Sequence, residues 1–111
     1  MIENIIESNY EQFAESSKLI VIDFWAEWCG PCKSISPIFQ KVSEMYKDNS
    51  NLIFAKCNVE EYPDLTVDHT VRNIPTVLFI HNGESIGRVV GSFTEESLTS
   101  KIDNFLSCLF K

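Results

Sequence analysis

Basic side chains are scarce in this chain. Nine Lys and Arg stand against sixteen Asp and Glu, a formal net charge of −7. The few cations are scattered, so the clustered Lys and Arg on which phosphate binding leans are missing, and no nucleic-acid partner is expected. Long hydrophobic runs are missing too: the longest, Leu19–Ile22 and Val77–Ile80, are strand-length, which excludes a membrane span as an expectation. The first seventeen residues hold no Lys or Arg and carry Glu3, Glu7, Glu11 and Glu15. Secretory and organellar leaders begin basic and poor in acid, so this stretch reads as mature cytoplasmic sequence. There is no internal repeat, low-complexity tract or linker, and residues 1–111 read as one domain.

What is present is an ordinary globular composition, 44% apolar and 23% charged. A chain of 111 residues builds a core without disulfide staples. The acidic surplus reads as a solvated surface that favours solubility.

The pattern predicts alternating strands and helices. Ile2–Ile6 reads as a short strand, and Asn9 as the cap of a helix carrying Tyr10, Phe13 and Ala14 to about Ser17. Leu19–Ala26 is apolar almost throughout, as in a strand buried on both faces, and Asp23 is the anomaly inside it. A helix is expected over Cys32–Lys47, with Ile35, Ile38, Phe39 and Val42 on one face and Pro37 kinking it. Leu52–Val59 reads as a strand and Tyr62–His69 as a short helix. Thr76–His81 and Ser85–Val90 flank Asn82-Gly83, a tight-hairpin signal because both residues tolerate positive φ. Thr94 caps a last helix with Leu98, Ile102, Phe105, Leu106 and Leu109 as its buried stripe. The order β-α-β-α-β-α-β-β-α implies an α/β protein, a three-layer α/β/α sandwich with a mixed sheet.

Chemistry concentrates in the cysteines. Of four, Cys29 and Cys32 are three apart, while Cys57 and Cys108 are isolated. In a cytosolic chain a lone Cys-x-x-Cys is catalytic or metal-binding more often than a staple. Structural zinc needs two further ligands at short spacing, and Cys57, His69, His81 and Cys108 offer no such pair. The pair falls where a buried strand turns into a helix, whose free N–H groups and dipole favour a thiolate on Cys29, the nucleophile. Cys32 lies one turn on, placed to resolve a mixed disulfide. Gly30 admits a partner backbone, and Pro31 stiffens the first turn. Asp23, on the strand beneath, is the candidate for proton transfer, with its pKa raised by burial and modulated by Lys56 on the neighbouring strand. The plainer alternative for Asp23 is an acid satisfied by hydrogen bonds; the cysteines beside it favour the proton-transfer role.

The run Asp23-Phe24-Trp25-Ala26-Glu27-Trp28-Cys29-Gly30-Pro31-Cys32-Lys33 closely resembles the active-site signature of the thioredoxins. The resemblance continues through Pro37, Lys56, Ile74-Pro75-Thr76, Asn82-Gly83 and Gly91, nearly the whole chain. It implies a thioredoxin fold, with a central mixed five-stranded sheet flanked by four helices. It also implies a monomeric general protein disulfide reductase acting on disulfide-containing proteins. Such a protein carries no bound cofactor and is recycled by a thioredoxin reductase that draws on NADPH. By the same likeness Ile74–Pro75 is a cis bond facing the cysteines. Trp28, Gly30, Pro31, Ile74, Pro75, Val90 and Gly91 then line the apolar surface that receives substrate backbone.

Some residues depart from that pattern. Cys57 stands where an aliphatic residue is common and reads as a buried, inert hydrophobe. Cys108, opposite the stripe of the last helix, reads as exposed and open to an intermolecular disulfide. Ser34 and Ser36 replace bulkier residues and soften the packing near the site, while Asn73 and Ser92 bear on partner choice. His69 and His81 read as loop and hairpin-end residues with no role. A redox-silent scaffold is the competing class of function, and an oxidase or isomerase the competing chemistry; the Gly-Pro between the cysteines points toward reduction.

Overall fold

A run as apolar as Leu19–Ile22 is stable only where both of its faces are covered, and that is where the chain puts it. The structure, a computed structural model, describes residues 2–4 and 16–110. Five strands are β1 (Ile2–Asn4), β2 (Leu19–Trp25), β3 (Leu52–Asn58), β4 (Thr76–His81) and β5 (Glu84–Val90). Three helices are described, α1 (Gly30–Met45), α2 (Pro63–Asp68) and α3 (Glu95–Leu109). The strands form one sheet in the order β1-β3-β2-β4-β5. β3 runs parallel to β1 and β2, whereas β4 is antiparallel to both β2 and β5, so the sheet is mixed.

Alternation along the central strand sorts its side chains between two cores. Leu19 and Val21 pack with Phe54, Val77 and Phe79 against Ile35, Phe39 and Val42 of α1 and Leu98 and Ile102 of α3. Ile20, Ile22 and Phe24 face the other way, toward Leu65 of α2, Val71, Leu78 and Ile80. Helices therefore cover both faces and give the three-layer α/β/α sandwich that the pattern predicts. Each fully buried side chain of this kind contributes about 1.5–3 kcal/mol. The expected first helix around Asn9, Tyr10, Phe13 and Ala14, and the residues Ile5 and Ile6, lie outside the described residues.

Boundaries differ from expectation by one or two residues. α1 begins at Gly30 rather than Cys32, because Cys29 itself caps the helix and Pro31 fits its first turn. The helix is continuous through Pro37 and stops at Met45. At the hairpin, Asn82 and Gly83 both have positive φ (53° and 81°), which lets a two-residue turn follow the strand twist. His81 then pairs with Glu84, extending β5 one residue earlier than expected.

α3 is capped by its own residues and tied to α1 by a side-chain hydrogen bond. Thr94 and Ser97 cap each other's backbone at the start of α3, and Glu95 and Glu96 complement its dipole. Tyr46, at the end of α1, donates its hydroxyl to Asp103 Oδ1 at 2.6 Å. Burial first, and then that bond and the charge of Asp103, hold the phenol well above its ordinary pKa.

Candidate active site

β2 delivers the chain to the site. Its last residues lead into a turn closed by Cys29 N–H donating to Ala26 O, and Cys29 takes the capping position of α1. There the Cys29 sulfur does what a Ser or Asp oxygen does at other helix starts: Sγ accepts the Cys32 backbone N–H at 3.1 Å. Cys29 and Cys32 form a disulfide, their Cα atoms 5.2 Å apart, inside the window that a disulfide tolerates. Both are buried, while Gly30 and Pro31 between them are exposed. A Cβ added at Gly30 would meet nothing within 4 Å, so the surface above the pair is open.

Ile74–Pro75 is cis, as the family likeness implies. Ile74 packs with Trp25 and Val59 against the small cluster of Ala26, Cys29 and Cys32. Pro75 is buried, and its carbonyl accepts the Gly91 N–H at 2.8 Å. Gly91 reaches it with φ +88°, a conformation that favours glycine. Val90 pairs with Thr76 across the sheet, and its side chain is 55% exposed. Trp28, next to the buried Cys29, is 68% exposed. Two large apolar side chains thus stand exposed, Trp28 beside the buried disulfide and Val90 at the end of β5 next to Gly91. Asn73 and Ser92 are exposed on the flanking segments.

Asp23 and Lys56 sit under the start of α1. They are in register on the parallel strands β2 and β3, on the sheet face that α1 covers. A cleft of about 320 Å³ is lined by both, together with Cys32, Trp25, Ala26, Glu27, Lys33 and Ser36. Asp23 is buried, and its Oδ1 has no hydrogen-bond donor among the described residues. Burial pushes its carboxyl up to about 6, and the positive charge of Lys56 opposes part of that rise. The alternative of an acid fully satisfied by hydrogen bonds does not describe this side chain.

Cys57 is buried, with its thiol pushed up to about 11 by desolvation and then by Glu61, and Cys108 is exposed. His69 caps the end of α2, where its carbonyl accepts from Arg88, and His81 ends β4. Among the described residues, no three His, Cys, Asp or Glu side chains gather into a metal-ligating group, and no helix is long and apolar enough to cross a membrane.

Trp25, Glu27 and Lys33 stood in the signature run with no role assigned, and Ser36 was not expected at the site itself. The expectation for Ser36 was softer packing, whereas its Oγ accepts a hydrogen bond from Lys56 Nζ at 3.1 Å. One signal pointed to it: Ser36 is four residues after Cys32, on the same face of the helix.

A family profile described as Thioredoxin matches residues 1–104. Thioredoxin of Coprinus comatus is 44% identical over 92 residues, covering 83% of this chain and 84% of that one. The chloroplastic M-type thioredoxin of Spinacia oleracea is 35% identical over 107 residues, 96% of this chain but 58% of that longer protein. The crystal structure of the Malassezia sympodialis thioredoxin superposes with a TM-score of 0.86 at 34% identity, covering 94% of this chain and 90% of that one. With sequence and backbone agreeing over nearly all of its length, this chain belongs to the thioredoxin family, whose members are thiol–disulfide oxidoreductases.

Proposed function

We propose that the protein is a general reductant of disulfides in other proteins, with Cys29 as nucleophile, Cys32 as resolving thiol and Asp23 as the proton acceptor. The observation that carries the reading is the Cys29 sulfur at the mouth of α1, accepting the Cys32 N–H. A helix N-terminus and an aimed N–H both favour negative charge on that sulfur.

The cycle begins with the dithiol. Cys29 thiolate attacks one sulfur of a substrate disulfide; that bond breaks, and the second substrate sulfur leaves as a thiolate and takes a proton from solvent. Cys32 then gives its proton to the Asp23 carboxylate across the cleft that both of them line. The Cys32 thiolate attacks Cys29 Sγ and displaces the remaining substrate sulfur as a thiolate. Two electrons have passed to the substrate, and Cys29–Cys32 is oxidised. A carboxyl with a pKa of about 6 is matched to this work, since it is mostly ionised at pH 7 yet still basic enough to hold the proton.

Substrate backbone would lie on Trp28, Gly30, Pro31, Ile74, Pro75, Val90 and Gly91. The exposure of Trp28 and Val90 supports this, because exposed apolar side chains gain by being covered. A thioredoxin reductase drawing on NADPH would restore the dithiol, with no cofactor held by this chain. The unpaired Cys57 and Cys108 suit a reducing compartment, which we take to be the cytoplasm; the protein is read as a monomer with one domain over residues 1–111.

Insulin reduction by wild type, Cys29→Ser and Cys32→Ser proteins tests the reading. Wild type should turn over, Cys29→Ser should be inactive, and Cys32→Ser should stall with substrates held covalently on Cys29. Equal activity in all three would leave the scaffold reading instead. A redox potential in the range of oxidising periplasmic proteins would overturn the reductant assignment.

A further inference from the structure

We propose that Ser36 is a positioning residue: its hydroxyl, with the Trp25 ring, holds the Lys56 ammonium at the wall of the cleft and off the Asp23 carboxyl. The proposal rests on the reading of Asp23 as proton acceptor and adds the device that sets its basicity.

Strand register alone would bring Lys56 onto Asp23. The two are partners on adjacent parallel strands, their side chains point to the same face, and both border the same cleft. A buried carboxyl opposite a lysine at that spacing ordinarily closes into an ion pair. Here it does not: among the described residues the only ion pair is Lys41–Glu95, at the surface. Lys56 Nζ instead donates to Ser36 Oγ at 3.1 Å and lies 5.6 Å from the centre of the Trp25 ring, within cation–π range. Asp23 Oδ1 is left without a donor. Two weak, neutral partners thus take up a charge that one strong partner would otherwise claim.

The consequence is electrostatic. An opposite charge within about 4–6 Å lowers a carboxyl pKa by roughly 1–3 units. With Lys56 held aside, its effect on Asp23 stays smaller than that of burial, and the carboxyl keeps its raised value. The other ionisable groups lining the cleft are Glu27, ahead of α1, and Lys33 and, once reduced, the Cys32 thiol, on α1; the strand on the far side of β2 sets apolar Val77 beside Asp23. Lys56 is the one of these that is matched to Asp23 in register, so its position matters most.

Titration of the Asp23 carboxyl carbon by 13C NMR in the oxidised protein is the test. Ser36→Ala, a change that helices accept, should lower the midpoint by roughly half to one pH unit as Lys56 moves toward Asp23. Ser36→Thr, which keeps the hydroxyl, should retain the wild-type midpoint. In a Lys56→Met background, Ser36→Ala should change nothing. An unmoved midpoint in Ser36→Ala, or the same shift with and without Lys56, overturns the proposal. A second readout separates it from the reading beneath it. Release of thionitrobenzoate from the Cys29 mixed disulfide, followed by stopped flow against pH, should lose roughly two- to threefold of its plateau in Ser36→Ala and move its acid limb to lower pH. A shifted midpoint with an unchanged rate profile would uphold Ser36 as the positioner of Lys56 and remove Asp23 as the proton acceptor.

Discussion

Asp23 lies in parallel register with Lys56, yet the two do not form an ion pair, and the carboxyl is buried with Oδ1 unpartnered among the described residues. An ionised acid held this way works against folding, and its raised pKa measures by how much.

Replacing that acid should therefore stabilise the protein at neutral pH. The folded-state pKa of about 6 lies above the 3.8 of a free aspartate side chain. The native state thus binds the proton more tightly than the unfolded chain does. The stability contributed by this group is fully present below about 3.8 and is lost as pH rises to about 6. Asp23→Asn should be more stable than wild type at pH 7 by up to about 3 kcal/mol, with the difference vanishing below pH 4. Urea unfolding at the two pH values checks the sign; a less stable variant at pH 7 would contradict the burial cost.

The same substitution should separate the two chemical steps. With Asn at position 23, the initial attack by Cys29 is little changed, while resolution by Cys32 slows on the order of tenfold or more, since general-base contributions run to about 10²–10⁴. Mixed disulfide should then accumulate during turnover and be visible by acid quenching and mass spectrometry. Its absence would assign Asp23 a structural role only.

The two unpaired thiols should differ sharply in reactivity. Cys108 is exposed, whereas Cys57 is buried with its thiol pushed up to about 11. Iodoacetamide at pH 8 should label Cys108 in the native oxidised protein and reach Cys57 only in denaturant. Prompt native labelling of Cys57 would show that the core of Ala55, Cys57 and Leu65 opens more readily than its packing implies.

Glycine positions provide a packing contrast. A Cβ at Gly87 would sit 2.8 Å from Cζ of Phe105, whose ring is itself packed on Phe79 with centroids 5.0 Å apart. Gly87→Ala should cost about 1–3 kcal/mol through overpacking, and Phe105→Leu should recover part of that loss. Gly30→Ala, with nothing within 4 Å of the new Cβ, should change stability by no more than about 0.5 kcal/mol. Thermal and urea unfolding of the variants compares them directly.

Much of this protein is written locally. The start of α1, the hairpin at Asn82-Gly83 and the cap at Thr94 all follow from residues within four positions of one another. So does the redox pair: a Cys-Gly-Pro-Cys run at a strand-to-helix junction places both thiols on one turn, whatever the rest of the chain does. The anomaly of Asp23 in an apolar strand was legible for the same reason, as a charge where the period of the strand requires burial. Family likeness added the cis bond at Ile74, which no local pattern specifies.

Other features belong to the tertiary structure alone. Sheet register sets Asp23 opposite Lys56, thirty-three positions later, and the packing of α1 on that sheet brings Ser36 to the same lysine. The packing of Ile74 against the cluster of Cys29 and Cys32, and the bond between Gly91 and Pro75, likewise join distant segments. Side-chain spacing encodes which face of an element is apolar, but not which partner a polar group on that face will choose. That choice is a competition among hydrogen bonds and charges that begins only once the strands are aligned and the helix is docked. The cysteine pair was therefore determined by the sequence itself, while the surroundings of the buried Asp23 carboxyl beneath it were decided by the fold.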